Sequence, residues 1–318
     1  MKKILLALFL IPCLGIAQNQ YSYGFDRGTA NFATDGWILT NQSSVPTTSL
    51  WSIANYTPVV VSATQPNLPF GNTVLAIGAT CPAPEGQAGG TNSFALVNYT
   101  SSTGNNTISN WLISPNVTVQ NGDVISFYTR LGKIPGSDGS QYPDRLQLRV
   151  STSNTSTTPS TGPNDVGSFN AVLVDVNPNL LAGVYPQVWT QYSATISGLN
   201  GPTVVKFAFR YFVTNGGTTG ANSDIIGIDT FSVDRPTAST QDFEKLGLSM
   251  YPNPVSDVLN IVAANGNDIQ NIMVTDINGR TVKQATTSQV NVSDLAQGTY
   301  LVKVTTTQGV ATSKFIKK

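Results

Sequence analysis

Apolar and polar side chains alternate with a period of two in several stretches of the chain, and no long run places apolar residues at i, i+3, i+4 and i+7. A period of two is the repeat of a strand with one buried face, so the pattern predicts an all-β protein. In Val205-Lys206-Phe207-Ala208-Phe209-Arg210-Tyr211 the odd positions are large and apolar and the even ones are Lys, Ala and Arg, so one face belongs to a core and the other meets solvent or a ligand. Arg145 to Val150 alternates in the same way, and between Asp123 and Arg130 the apolar Ile125 and Phe127 oppose Ser126 and Tyr128. Each predicts a half-buried antiparallel strand. The loops at 132–143, 151–167 and 215–223 are longer than tight hairpins need, and loops of that length form binding surfaces when a rigid sheet holds them. Ser151 to Pro159 is low-complexity and reads as a mobile excursion.

The pattern changes at both ends. Met1-Lys2-Lys3, the apolar run Ile4 to Ile11 and the small residues of Gly15-Ile16-Ala17 read as a secretory signal peptide over residues 1–17. The run is too short to span a bilayer, and no later segment approaches the ~20 residues required. Cys13 raises a lipoprotein alternative, but Pro12 stands where a lipid-modification site needs a small residue. After Asp234-Arg235-Pro236 the composition becomes that of a linker, residues 236–247, and a set of short strands follows over 248–318. Tyr251-Pro252-Asn253-Pro254 marks an edge or the start of a strand, because proline cannot donate to a ladder, and Asn278-Gly279 between two alternating runs signals a hairpin.

Charge narrows the chemistry. The chain has 17 Lys+Arg against 17 Asp+Glu, no histidine, and 11% charged residues beside a 40% hydrophobic fraction. Ser, Thr, Asn and Gln carry the polarity that charges usually supply. Without histidine, Ser-His-Asp and Cys-His catalysis and histidine-ligated zinc are excluded. A balanced charge without a basic run gives no footprint for nucleic acid or anionic lipid. Cys81 is the one cysteine outside the signal peptide, so no internal disulfide forms and a buried or tolerated thiol is the simplest reading.

The C-terminal region carries Tyr251-Pro252-Asn253-Pro254, Asp257-Val258-Leu259-Asn260-Ile261, Val274-Thr275-Asp276-Ile277-Asn278-Gly279-Arg280, Leu295-Ala296-Gln297-Gly298-Thr299-Tyr300 and Lys314-Phe315-Ile316-Lys317-Lys318. With these it resembles the type A C-terminal sorting domain of the type IX secretion system. The resemblance implies a small immunoglobulin-like β-sandwich of seven strands that the secretion machinery reads, with Tyr251, Pro252, Asn253, Pro254, Gly279, Gly298, Lys314 and Lys317 in the signal. It also implies cleavage near the linker at the cell surface and frequent exchange for a lipopolysaccharide anchor. Taken alone, the same residues are turns and core, with Gly279 and Gly298 at positive φ and Tyr300, Val302 and Val304 filling one face.

Residues 18–235 carry Phe25-Asp26, Gly36-Trp37, Trp51, Asn110-Trp111-Leu112-Ile113-Ser114-Pro115, Ile125-Ser126-Phe127, Asp144, Trp189, Phe207 to Tyr211 and Gly227-Ile228-Asp229. In these the region resembles the choice-of-anchor J or cleaved-adhesin family, which implies a jelly-roll β-sandwich displayed at the cell surface. That family often has a second acid after the aspartate of the last strand; here it is Thr230, which weakens a metal inference.

If a jelly roll pairs its chain ends, Asp26 and Asp229 lie together and offer a structural Ca²⁺ site of carboxylates and carbonyls; otherwise they bond nearby backbone N–H groups. Trp111 reads as core, whereas Tyr142 and Tyr185, beside Pro143 and Pro186, read as surface stackers for a glycan ring. Glycoside hydrolysis needs two carboxylates ~5 to 9.5 Å apart, and no acid pair falls on facing strands. The sequence therefore points to a secreted, non-catalytic adhesin or ligand-binding protein with an extracellular glycan or protein partner, and a carboxylate hydrolase is the alternative. Close, buried acids in a cleft would favour the hydrolase.

Overall fold

The computed structural model of the chain describes residues 18–64, 67–133, 142–153, 158–236, 240–264, 267–277, 279–307 and 309–318. The signal peptide expected at 1–17, most of the 132–143 loop, part of the low-complexity stretch and Asn278 of the hairpin turn lie outside the described residues. Two compact units form, one of Asn19–Arg235 and one that includes Pro236–Lys318.

The first unit contains β1 (Gln18–Tyr23), the one-turn helix α1 (Asn31–Thr34), β2 (Ile38–Asn41), β3 (Ser52–Ile53), β4 (Val59–Val60), β5 (Thr80–Cys81), β6 (Ala95–Asn98) and β7 (Asn106–Ile113). It continues with β8 (Val117–Val119), β9 (Val124–Leu131), β10 (Leu146–Ser151), β11 (Ala171–Val176), β12 (Thr190–Thr195), β13 (Thr203–Gly216) and β14 (Ile225–Arg235). One six-stranded sheet has the order β12-β9-β14-β6-β3 with β1 added on β14, and the other β11-β10-β13-β7-β2 with β8 added on β13. The inward residues of the two sheets share one core. Phe127 of β9 meets Phe209 of β13 edge-on at 5.1 Å between centroids, and Phe209 meets Phe231 of β14 at 5.3 Å. Each such ring removes about 150–250 Å² from water, roughly 4–6 kcal/mol of transfer free energy before entropy is counted. The result is a jelly-roll β-sandwich: the alternation predicts its strands, and the resemblance implies the jelly roll.

The alternation also leaves Lys206, Ala208 and Arg210 on the outer face of β13, but Ala208 and Arg210 are buried there. A segment between β10 and β11 covers them: Phe169 packs on Trp111 at 6.0 Å. The Arg210 guanidinium lies 3.7 Å from the Phe212 ring centroid and donates to Ser109 Oγ (3.1 Å), Gln147 Oε1 (3.2 Å) and the Pro163 carbonyl. Trp111 is buried as expected, in this outer cluster.

The second unit has helix α2 (Thr240–Lys245), then β15 (Leu248–Tyr251), β16 (Val258–Ala263), β17 (Ile269–Thr275), β18 (Thr281–Ala285), β19 (Gln289–Asn291), β20 (Gly298–Thr306) and β21 (Gly309–Lys317). A three-stranded sheet, β15-β16-β19, and a four-stranded sheet, β18-β17-β20-β21, enclose a core that includes Leu259, Val274, Val302 and Phe315. This is the small immunoglobulin-like sandwich. Within the expected linker, residues 240–247 depart from that reading: α2 inserts Phe243, 3% exposed, into that core. An aromatic residue buried against two sheets makes the stretch part of the folded unit.

Candidate functional site

Strands β1 and β14 pair, and this brings Asp26, just after β1, to the same loop as Asp229 on β14. The Asp229 carboxylate is buried: Oδ2 accepts from the N–H groups of Gln87 (2.6 Å) and Ala88 (3.0 Å), and Oδ1 from Thr230 N–H (2.6 Å). Asp26 is exposed. A Cβ on Gly86 would stand 2.2 Å from the Ser93 carbonyl, 2.6 Å from the Ala88 carbonyl and 2.8 Å from Asp229 Oδ2, and one on Gly89 would meet Asp26 Oδ1 at 1.7 Å. Glycine is required there because the loop wraps tightly around oxygen atoms. Burial lifts the Asp229 carboxyl to about 6, the three backbone donors oppose the rise, and the Asp26 charge adds to it. Thr230, where the resemblance anticipates an acid, donates its hydroxyl to Gln87 Oε1 at 2.7 Å. Among the described residues no three His, Cys, Asp or Glu side chains cluster. A cation here would draw on two carboxylates and backbone carbonyls, a donor set that fits Ca²⁺.

Of the two expected stacking residues, Tyr142 is 48% exposed, but Tyr185 is 3% exposed and part of the core. Its hydroxyl is 2.7 Å from Thr129 Oγ1, and the adjacent Pro186 carbonyl accepts from Leu131 N–H at 2.7 Å, so the segment is fastened down onto β9. Tyr185 therefore cannot present a ring face to a ligand. Both tyrosines border a hollow of about 10 Å³, room for one water at most.

The aromatic surface lies elsewhere. A cleft of about 770 Å³ is bordered by Tyr56, Phe70, Asn72, Asn92, Glu85 and Trp189, and a hollow of about 490 Å³ shares Asn72 and Trp189 with it and adds Arg130, Lys133 and Gln187. The cleft builds on the outer face of the β9-β14 sheet. A Cβ on Gly227 of β14 would meet Phe70 at 2.9 Å and Trp189 at 3.0 Å, so the missing side chain lets those rings pack onto the strand, Phe70 buried beneath and Trp189 half-buried. Asn92 clasps the Tyr56 backbone, accepting from its N–H at 3.0 Å and donating to its carbonyl at 2.9 Å. Arg130 pairs with Gly227 across the ladder. It is 2% exposed, with its guanidinium 6.0 Å from the Phe70 ring centroid and 5.9 Å from that of Trp189. Glu85 is the single acid among the residues that line these two spaces. The free Cys81 is buried at the cleft floor. Tyr56 and Phe70 escaped the sequence reading; Phe70 follows Pro69, the same aromatic-beside-proline cue that singled out Tyr142, whereas Tyr56 is separated from Pro58 by Thr57 and carries no such signal.

In the second unit the scattered sorting motifs come together. Asn253 Oδ1 accepts from Ile316 N–H (2.9 Å), Val255 N–H donates to the Ile316 carbonyl (2.8 Å), and Lys318 N–H donates to the Val255 carbonyl (2.9 Å). The Tyr251–Pro254 stretch and the Lys314–Lys318 end thus lie side by side, with Tyr251 and Lys314 exposed and the Lys317 ammonium on the Lys318 carbonyl. Gly279 has φ 81°, as expected. Gly298 does not share that conformation; it opens β20, and a Cβ there would meet only Tyr300 at 3.9 Å.

Residues 249–318 match the family model of the secretion system C-terminal sorting domain. Among solved structures, the chain is similar to the K1 cleaved adhesin domain of Lys-gingipain from Porphyromonas gingivalis W83, at 17% identity and TM-score 0.37 over 68% of this chain and 98% of that one. It is also similar to the K3 cleaved adhesin domain of the same protein (15% identity, TM-score 0.36, 68% and 99%) and to the glycoside hydrolase domain Endo-D of Streptococcus pneumoniae R6 (13%, 0.29, 88% and 37%). No match is found among the curated proteins. The sorting domain marks the chain for export by the type IX secretion machinery, to the medium or the cell surface. No helix among the described residues is long and apolar enough to cross a membrane.

Proposed function

We propose that the chain is a non-catalytic binding protein of the cell exterior, carried there by its C-terminal domain and gripping an extracellular glycan in the cleft beside Trp189. The observation that carries the reading is the cleft itself: the half-buried Tyr56 and Trp189 rings and the amides of Asn72 and Asn92 border it, the composition that holds sugar rings. Its lining offers one acid where glycoside hydrolysis needs two. The Asp26 and Asp229 pair does not restore the hydrolase alternative, since a loop wraps tightly around the Asp229 carboxylate and neither acid borders the cleft.

In this reading residues 1–17 direct the chain to the periplasm, and the second unit then engages the type IX machinery and is removed or exchanged for a lipopolysaccharide anchor. Ca²⁺ ties Asp26 and Asp229 to the Ala88 and Ser93 carbonyls and so staples the ends of a body that lacks a disulfide. Three experiments test the proposal. A glycan array probed with the full chain and with Trp189→Ala should show binding that the substitution abolishes; unchanged binding removes the cleft from consideration. Deletion of residues 248–318 should strand the protein inside the cell envelope, and normal appearance outside would refute the export role. For calcium, a calorimetric titration of EDTA-treated protein should show heat and a raised melting temperature, and neither would appear if the oxygen-lined loop serves only its own backbone.

A further inference from the structure

The hollow beside Trp189 contains a feature that a site for neutral sugars does not need. Arg130 is buried at the end of β9, and its polar contacts are neutral: Nε donates to the Leu131 carbonyl (3.3 Å) and Nη1 to Asn72 Oδ1 (2.9 Å). No carboxylate pairs with it among the described residues, and Nη2 has no hydrogen-bond partner there. Lys133 borders the same hollow and bonds only the neutral Gln187 Oε1, at 2.6 Å. A guanidinium withdrawn from water without a counter-charge is held at a cost, and burial accordingly lowers its proton affinity. Elsewhere in the same domain Arg145 pairs with Asp175 at 2.6 Å and Arg235 with Asp123 at 2.9 Å, while buried Arg149 and Arg210, which also lack a carboxylate, have each nitrogen of the fork bonded to a neutral oxygen. Of these three buried arginines, only Arg130 leaves a fork nitrogen unused, and it does so at a hollow that Lys133 also borders.

We infer that Arg130 and Lys133 form an oxyanion subsite at the end of the cleft, which takes the carboxylate or sulfate group of an acidic saccharide whose ring lies against Trp189. The remaining N–H groups of the Arg130 fork match a planar oxyanion in a bidentate arrangement, and Lys133 supplies a second, more mobile charge. The Phe70 and Trp189 rings hold the guanidinium in place, so little side-chain entropy is lost when the anion arrives. Amides at Asn72 and Gln187 border the hollow, where ring hydroxyls need donors and acceptors. This assignment rests on the glycan-binding reading of the cleft and names the class of glycan.

Tryptophan fluorescence tests it on the full chain. Trp37, Trp51 and Trp111 are at most 3% exposed, so acrylamide quenching reports chiefly on Trp189. Glucuronic acid, glucose 6-sulfate, glucose and N-acetylglutamate are compared as protecting agents. The inference requires that glucuronic acid or glucose 6-sulfate protect at concentrations about 10-fold below glucose. That advantage must shrink with added salt and disappear in Arg130→Met and in Lys133→Gln. The stronger of the two acids identifies a carboxylate or a sulfate ester as the source of the charge. Lys133 is partly exposed, so Lys133→Gln should keep the parent melting temperature and carries the decision if Arg130→Met does not fold. Equal protection by glucose, no protection by either acidic sugar, an acid preference unchanged in both variants, or N-acetylglutamate matching the sugar acids would each overturn it. A neutral sugar that still protects Trp189 in Arg130→Met would leave the cleft reading standing and remove only the oxyanion subsite.

Discussion

Replacing Asp144 by asparagine should remove that residue's share of the pH dependence of the first unit's stability between pH 5 and 8. The Asp144 carboxyl is fully buried; Oδ1 accepts from the Tyr211 hydroxyl and from Asp224 N–H (2.9 Å), and Oδ2 has no partner. Burial lifts it from 3.8 to about 7, the Tyr211 and Asp224 hydrogen bonds oppose the rise, and the Asp224 charge adds to it. The other groups around it are the phenols of Tyr185 and Tyr211, which burial raises well above their ordinary value, so they stay neutral in this range. An acid with a raised folded-state pKa holds a proton that the unfolded chain has lost. Its stabilisation is complete below about 3.8 and vanishes as pH rises through about 7. At 1.36 kcal/mol per unit, the group contributes roughly 2–3 kcal/mol at pH 5 and almost nothing at pH 8. For a domain of this size that is about 5–10 °C in melting temperature. No histidine titrates in the same window, and Asp229, lifted to about 6, responds in both proteins and cancels in the difference. Scanning calorimetry in EDTA at pH 5, 6, 7 and 8 should show the parent losing stability towards pH 8 relative to Asp144→Asn. Parallel curves, or a parent that gains on the variant as pH rises, would refute the reasoning.

Three further outcomes follow from the geometry. Phe243→Ala should cost the second unit about 3–5 kcal/mol in denaturant unfolding and leave the first transition unmoved, because the ring fills that unit's core; an unshifted midpoint would return residues 240–247 to linker status. Gly86→Ala should abolish any Ca²⁺-dependent rise in melting temperature, since a Cβ 2.2 Å from the Ser93 carbonyl forces the loop away from Asp229; retention of the rise would place calcium elsewhere. Gly279→Ala should destabilise the second unit by about 1–2 kcal/mol, as its φ of 81° opposes a Cβ, whereas Gly298→Ala should stay within about 0.5 kcal/mol; thermal melts of the pair check both.

Much of the fold is legible in the residue order. Strand β13 is written in Phe207, Phe209 and Tyr211, because a period of two is a local property that survives any arrangement of neighbours. The sorting motifs are equally local strings, and they matched. The candidate site was less legible. Tyr142 and Tyr185 show the same aromatic-proline pair, yet one is exposed and the other packs under its hydrogen bond to Thr129, a partner 56 positions away. Asp26 and Asp229 could be brought together on paper only by assuming that the chain ends pair.

What the sequence alone determined is the class of fold, the division of the chain and the absence of histidine chemistry, each a matter of composition and short-range pattern. The tertiary structure decided which outward faces are covered. Arg130 and Arg210 occupy equivalent outward positions on alternating strands, and both are buried by loops remote in sequence. One is saturated by Ser109, Gln147 and Pro163, and the other faces a hollow with its fork partly unused. That difference arises from contacts between segments far apart along the chain, which no periodicity encodes.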